Sequence, residues 1–313
     1  MRIIVTGGAG FIGSNIVDAY VRLGHEVTVV DNLSTGRRVN LNPRVKFHEM
    51  SICDPDLSSV FEEARPEVVN HHAAQIDVRK SSDDPVADAR DNILGSLNVL
   101  VNCQQHGVRK MIYASSGGAV YGDVDYSPVD ESHPIRPISQ YGVSKHTVEH
   151  YLYLYGVLYG LEYVMLRYAN VYGPRQNPFG EAGVVAIFAT QMLTGKQPTI
   201  FGPGDKTRDY VHVSDIVEAN VISLDRGKDV VCNIGTGVET SDQEVFDALA
   251  DTLGYKERPI YAPVRKGEVY RISLDSGKAR DELGWAAKVS FRDGVASTAE
   301  YYRQLTREMN PGS

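Results

Sequence analysis

The segment Thr6-Gly7-Gly8-Ala9-Gly10-Phe11-Ile12-Gly13 constrains this chain more than any other stretch. It follows the β-branched run Arg2–Thr6 and opens a helix expected over Gly13–Leu23. Gly7 and Gly10 let the backbone turn tightly and approach a pyrophosphate, and Gly13 lets the helix pack close to the sheet. The helix N-terminus then offers free N–H groups and a positive dipole end. Asp31 closes the second expected strand, about 20 residues beyond the turn, where a carboxylate accepts hydrogen bonds from both ribose hydroxyls and repels a 2′-phosphate. A glycine triplet alone is weak evidence; strand, helix and acid in this order make it a dinucleotide turn, and the acid selects NAD. Arg37 and Arg38 are read as loop residues facing solvent.

Short apolar runs alternate with helical stretches through the first half, the pattern of a parallel sheet covered on both faces. Strands are expected at Arg2–Thr6, Glu26–Val30, Val45–Glu49, Val68–His72, Lys110–Ser115 and Tyr163–Arg167. Helices are expected near Gly13–Leu23, Asp56–Ala64, Pro85–His106 and Gln140–Tyr159. Right-handed crossovers between them give an α/β, doubly wound, Rossmann-type sheet. After Tyr168 the rhythm breaks. Asn170–Gly183 is rich in Gly, Pro and Asn and reads as a long loop, followed by a helix at about Val184–Thr194, a turn at Gly202–Asp205 and a last helix near Arg292–Arg307. The expected division is residues 1–168 for the dinucleotide and residues 169–313 for the substrate, with the boundary crossed more than once.

Net charge −8 argues against a nucleic-acid footprint, although it leaves room for a local basic site for a small anion. Cys53, Cys103 and Cys232 are far apart and form no metal-ligand spacing; they read as free thiols in a reducing compartment. Ile3-Ile4-Val5 ends at once in glycines, so no signal peptide is expected, and no run reaches the length of a membrane span. A cytoplasmic protein is the expectation.

Tyr141-Gly142-Val143-Ser144-Lys145 places a phenol and an ammonium four residues apart, on one face of a helix. A Lys cation and a positive nicotinamide both favour the phenolate, and a downward shift of ~3 units corresponds to ~4 kcal/mol. Such a tyrosine can remove a hydroxyl proton while hydride leaves the same carbon. With the glycine turn and the strand ending Tyr113-Ala114-Ser115-Ser116, the chain resembles the extended short-chain dehydrogenases, and within them the UDP-glucose 4-epimerases. Val120-Tyr121-Gly122, Leu166–Arg175 and Arg208–Val213 look like signatures of that family, and the resemblance spans essentially the whole chain. It implies that Tyr141 is the acid/base and that Lys145 binds the nicotinamide ribose. It further implies a cofactor set of Gly7, Gly10, Phe11, Ile12, Gly13, Asp31, Asn32, Ile52, Ala73, Ala74, Asn92, Ser115, Tyr141, Lys145 and Tyr168. On the substrate side it implies Asn170, Arg208 and Arg265 on the UDP pyrophosphate and ribose, with Ser116, Tyr141, Thr199, Phe201 and Glu268 beside them. Phe201 could pack on a uracil face or fill the core. A homodimer formed by two helices per subunit is also implied, with Tyr151, Tyr153, Tyr155 and Tyr159 read as helix packing or interface.

The chain departs from the family pattern at Gly117, where relatives carry the Ser or Thr that bonds the reacting sugar hydroxyl. Ser116 is the candidate replacement, because neighbouring Ser115 points to the opposite face of a strand; a water or backbone N–H is the alternative. Ser51 replaces an Asp beside the adenine, which predicts weaker adenine readout. His71-His72 diverge on a strand and are not expected to chelate a metal. No acid stands at Gly118 or Ala119, which tells against a dehydratase, and retention of Tyr141 and Lys145 tells against a non-catalytic NAD-binding regulator. The expected activity is interconversion of UDP-glucose and UDP-galactose through a 4-keto sugar, with epimerisation of another nucleotide sugar (UDP-N-acetylglucosamine, UDP-glucuronate or a dTDP-sugar) as the alternative. The resemblance also implies a residue close to Ile272 as the wall against the sugar 2-substituent; Ile272 is short enough to admit an N-acetyl sugar, whereas Tyr270, on the same face of an extended strand, could fill that space instead.

Overall fold

Runs of Val and Ile buried on both faces form the centre of the molecule, as a parallel sheet requires. The computed structural model describes residues 1–179, 183–264 and 269–309. Its strands are β1 Arg2–Thr6, β2 Glu26–Asp31, β3 Lys46–Glu49, β4 Val68–His71, β5 Lys110–Ser116, β6 Glu162–Tyr168, β7 Asn170–Tyr172, β8 Thr199–Phe201, β9 Thr207–His212, β10 Val230–Ile234, β11 Glu239–Ser241 and β12 Ile260–Ala262. Its α-helices are α1 Phe11–Arg22, α2 Leu57–Ala64, α3 Val78–Asp83, α4 Pro85–Ala89, α5 Gly95–Gln105, α6 Gly117–Val120, α7 Gln140–Tyr159, α8 Val184–Leu193, α9 Val213–Ser223, α10 Asp242–Leu253, α11 Gly277–Leu283 and α12 Phe291–Met309.

Seven strands make one all-parallel sheet in the order β10-β6-β5-β4-β1-β2-β3. The chain direction across the sheet reverses between β1 and β4, and at such a switch point the strand ends open a crevice for a ligand. One core cluster, including Ile16, Tyr20, Leu224 and Trp285, covers one face; a second, including Leu57, Phe61, Leu100 and Leu152, covers the other. A third cluster around Tyr172, Phe188, Tyr210, Phe246 and Tyr302 belongs to α8, α10, α12 and the small sheets β11-β9-β7 and β12-β8.

Two expectations change here. Asn170–Gly183 is not wholly loop, because Asn170–Tyr172 pairs with Tyr210–His212. The helix expected over Pro85–His106 contains a π turn at Arg90–Leu94, centred on buried Asn92. Pi turns of this kind gather at functional sites. Among the described residues, no helix is long and apolar enough to cross a membrane.

Candidate active site

The glycine turn is built against β2 and β4. Gly7 has φ +70°, and a Cβ there would lie 2.7 Å from Ala73 N and 2.8 Å from His72 C. On Gly13 a Cβ would stand 2.2 Å from Gly7 O, so the helix packs on the turn only as glycine. Gly10 caps α1 without a side-chain hydrogen bond, leaving Phe11 and Ile12 at the start of the helix. Asp31 accepts from Ala9 N at 2.9 Å and from Leu33 N at 2.8 Å, which fixes its carboxylate at the end of β2 beside the turn. Asn32, exposed, accepts from Ser34 N. Cradle, helix end and carboxylate fit a dinucleotide with a free 2′-hydroxyl. Arg37 and Arg38 are exposed, and Arg38 pairs with Glu49 above the Phe47 ring.

Several expected cofactor residues stand behind this surface. Ile52 is buried in the second core cluster against Gly95. Asn92 accepts from Gln75 N at 2.7 Å and donates to Gln75 O at 3.0 Å, so it clasps the segment carrying half-buried Ala73 and Ala74. Ser115 donates to Glu149 at 2.6 Å. Tyr168 is buried, with its hydroxyl accepting from Asn220 at 2.8 Å and 3.1 Å from His72 Nε2. His71 meets Thr6 and Ser96 instead, so the two histidines have separate partners. Among the described residues no group of three or more His, Cys, Asp or Glu gathers to hold a metal.

Tyr141 and Lys145 meet Ser116 where β5 ends. Ser139 caps α7 by accepting from Gly142 N at 3.1 Å, and Gly142 presses so close to Ala119 O that a Cβ would lie 2.5 Å away. Ser116 lies close enough to the Tyr141 phenol to act on its titration. Lys145 donates to Ala114 O at 2.9 Å, and its Nζ lies 5.9 Å from the Tyr141 ring centre. Burial pushes the phenol up to about 12, Ser116 opposes this in part, and Asp88 adds to it. The expected lowering by Lys145 is therefore not present in the protein alone. Burial also brings the Lys145 ammonium down to about 8, with Asp88 and Glu149 opposing.

Beneath the site lies an ion pair that sequence reasoning missed. Arg167 donates to both Glu149 oxygens, at 2.9 and 2.7 Å, and to the Tyr121 hydroxyl at 2.9 Å. Burial pushes the Glu149 carboxyl up, but the bonds from Arg167, His146 and Ser115 bring it down to about 2. Tyr121 and Arg167, from two signature stretches, thus support the site from below. Asp88, equally missed, holds Gln75 and Asn92 at 3.0 Å each. The spacing of four in Asp88–Asn92 and Lys145–Glu149 was the available signal.

On the substrate side, Asn170 starts β7 half-buried, with its Oδ1 3.3 Å from where a Gly118 Cβ would be. Thr199 and Phe201 flank Ile200 on β8, half-buried while Ile200 lies in the third cluster. Arg208 Nη1 donates to Thr207 O at 2.7 Å. Arg265 and Glu268 lie outside the described residues. Tyr270 and Ile272 do not share a face: Tyr270 is 57% exposed and Ile272 2%, in a segment with no strand. Without strand geometry the alternation rule does not apply, and Ile272 belongs to the main core.

Residues 3–235 match the model of the NAD dependent epimerase/dehydratase family. The chain belongs to that family. A putative UDP-glucose 4-epimerase of Methanocaldococcus jannaschii is 47% identical, covering 97% of this chain and 99% of that protein. The crystal structure of a UDP-glucose 4-epimerase with UDP-glucose from Thermotoga maritima is 48% identical, with TM-score 0.97, covering 98% of this chain and 100% of that one. A Thermus thermophilus UDP-glucose 4-epimerase in complex with NAD is 45% identical, with TM-score 0.92, covering 97% and 99%. Within the epimerase/dehydratase family, these are proteins that this chain resembles over nearly its full length.

Proposed function

We propose that this family member is an NAD-dependent UDP-glucose 4-epimerase that interconverts UDP-glucose and UDP-galactose. The observation that carries the reading is the meeting of Ser116, Tyr141 and Lys145 at the end of β5, in the same parallel sheet whose β1 leads into the Gly7–Gly13 turn. Tyr141 moves the proton of the sugar 4-hydroxyl, Ser116 holds that oxygen, and Lys145 orients the nicotinamide ribose. When bound, NAD would supply the nicotinamide that accepts and returns the C4 hydride. Asn170, Thr199, Phe201, Arg208, Arg265 and Glu268 are assigned to the nucleotide and its diphosphate, where guanidinium forks suit phosphate oxygens. Holding the diphosphate while the hexose turns keeps the 4-keto sugar in the site. A dehydratase needs an acid to protonate a leaving hydroxyl, and Gly117–Val120 supplies none.

Residues 1–168 are assigned to the cofactor and 169–313 mainly to the substrate, with β10 returning to the cofactor sheet. The enzyme is read as a cytoplasmic homodimer. Support for the pairing comes from apolar side chains exposed on neighbouring helices: Val143, Leu154 and Val157 on α7, Val101 on α5. Proton NMR of products from a panel of UDP- and dTDP-sugars, which separates the C4 epimers, tests the substrate, and light scattering tests the dimer. Turnover of dTDP-sugars alone would overturn the nucleotide assignment.

A further inference from the structure

Gly117 sits where the catalytic turn leaves β5, and the space beside it is filled from a distant part of the chain. A Cβ on Gly117 would stand 2.5 Å from Leu274 Cδ1, 3.0 Å from Leu274 Cδ2 and 3.3 Å from Arg167 O. Carbon atoms in contact rest about 3.5–4.0 Å apart, so position 117 has no room for a side chain while Leu274 keeps its place. The backbone of Leu274 is held on both sides, and its side chain packs in the main core. The residue is buried, and its N–H donates to Asp209 Oδ2 at 3.1 Å. It also bridges to Val129, between a bond from Val129 N to Ser273 O and one from Asp275 N to Val129 O, each 2.8 Å. Asp209 is itself buried and accepts from Thr236 N, Thr236 Oγ1 and Gly237 N within 3.0 Å. It follows Arg208 on β9, so one carboxylate joins the strand of Arg208 to the residue over Gly117.

We propose that Leu274, locked by Asp209, is the positioning residue that assigns the sugar-facing hydroxyl to Ser116. It denies a side chain at 117 and braces the turn in which Ser116, extended at φ −135° and ψ 103°, reaches Tyr141 before α6 begins. This deepens the function proposed above and rests on it. Leu274 touches no reacting atom and acts only through the turn.

The test moves the hydroxyl by one residue and reads both turnover and melting temperature. Leu274→Val removes both Cδ atoms while keeping an apolar core residue. Ser116→Ala should lower kcat for UDP-galactose by roughly 10-fold or more. Adding Gly117→Ser together with Leu274→Val should restore most of that loss, whereas Gly117→Ala with Leu274→Val, which brings no hydroxyl, should restore none. Gly117→Ser should lower the melting temperature strongly with Leu274 present and only slightly alongside Leu274→Val. Equal melting losses in the two backgrounds, or restoration by Gly117→Ser without Leu274→Val, would overturn the role of Leu274. The melting cycle needs no substrate, so it still decides the matter if the wild type fails to interconvert the two sugars, a failure that would fall on the functional reading instead.

Discussion

The Lys145 ammonium donates to the Ala114 carbonyl at 2.9 Å and lies 5.9 Å from the centre of the Tyr141 ring, so the lysine sits beneath the phenol without bonding it. The side chain beside the phenol is that of Ser116, which opposes its upward shift. Replacing Tyr141 by Phe removes the acid/base but leaves the ring packing. It should lower kcat at least ~10²-fold, with UDP affinity near that of the wild type. Steady-state kinetics and calorimetric titration with UDP check both halves, and near-normal turnover would remove Tyr141 from the mechanism.

Lys145, brought down to about 8 by burial, gives two pH signatures. Turnover should decline as pH rises through about 8, well before an ordinary lysine would lose its proton. Between about 8 and the ordinary lysine value the unfolded chain binds more protons than the folded one, so stability should rise with pH across that window. Denaturant melts at a series of pH values should show this rise in the wild type and lose it in Lys145→Met. A flat wild-type profile would contradict the burial of a charged Lys145.

How much of this could be read beforehand depended on element length. Strands β1, β2, β4, β5 and β6 are long or apolar enough to announce themselves, and Asp31 and Tyr141–Lys145 fell at distances the chemistry requires. By contrast β7, β8, β11 and β12 have three residues each, too few to show alternation. β10 was missed because nothing local says that Val230–Ile234 joins β6. α10 was missed despite a capping box between Ser241 and Glu244, a signal present in the sequence. Leu274 and Gly117 are 157 positions apart and meet only in the fold.

Glu149 carries stability of the opposite sign. Its folded value of about 2 lies below the unfolded one, so this contribution is complete above the ordinary glutamate range and is lost as pH falls toward 2. Glu149→Gln strands the buried Arg167 guanidinium and should cost about 3–5 kcal/mol at neutral pH. Adding Arg167→Met should recover part of that loss. Chemical denaturation of the two variants measures it, and a loss below ~1 kcal/mol in the single variant would show the pair to be dispensable.

Ile272 in the main core predicts an unselective outcome. Ile272→Tyr should overpack the cluster and cost about 1–3 kcal/mol, lowering turnover of UDP-galactose and of UDP-N-acetylglucosamine, where measurable, in equal proportion. Loss confined to the N-acetyl sugar, with unchanged melting temperature, would return Ile272 to the substrate wall.

The most direct measurement follows the hydrogen at C4. UDP-galactose deuterated at C4, incubated with the enzyme and no added coenzyme, should yield UDP-glucose with deuterium retained at C4, because the hydride taken from one face is returned to the other within a single turnover. NMR reads its position. Deuterium at C6 of a 4-keto-6-deoxy sugar, or its loss into stoichiometrically reduced coenzyme, would contradict epimerisation.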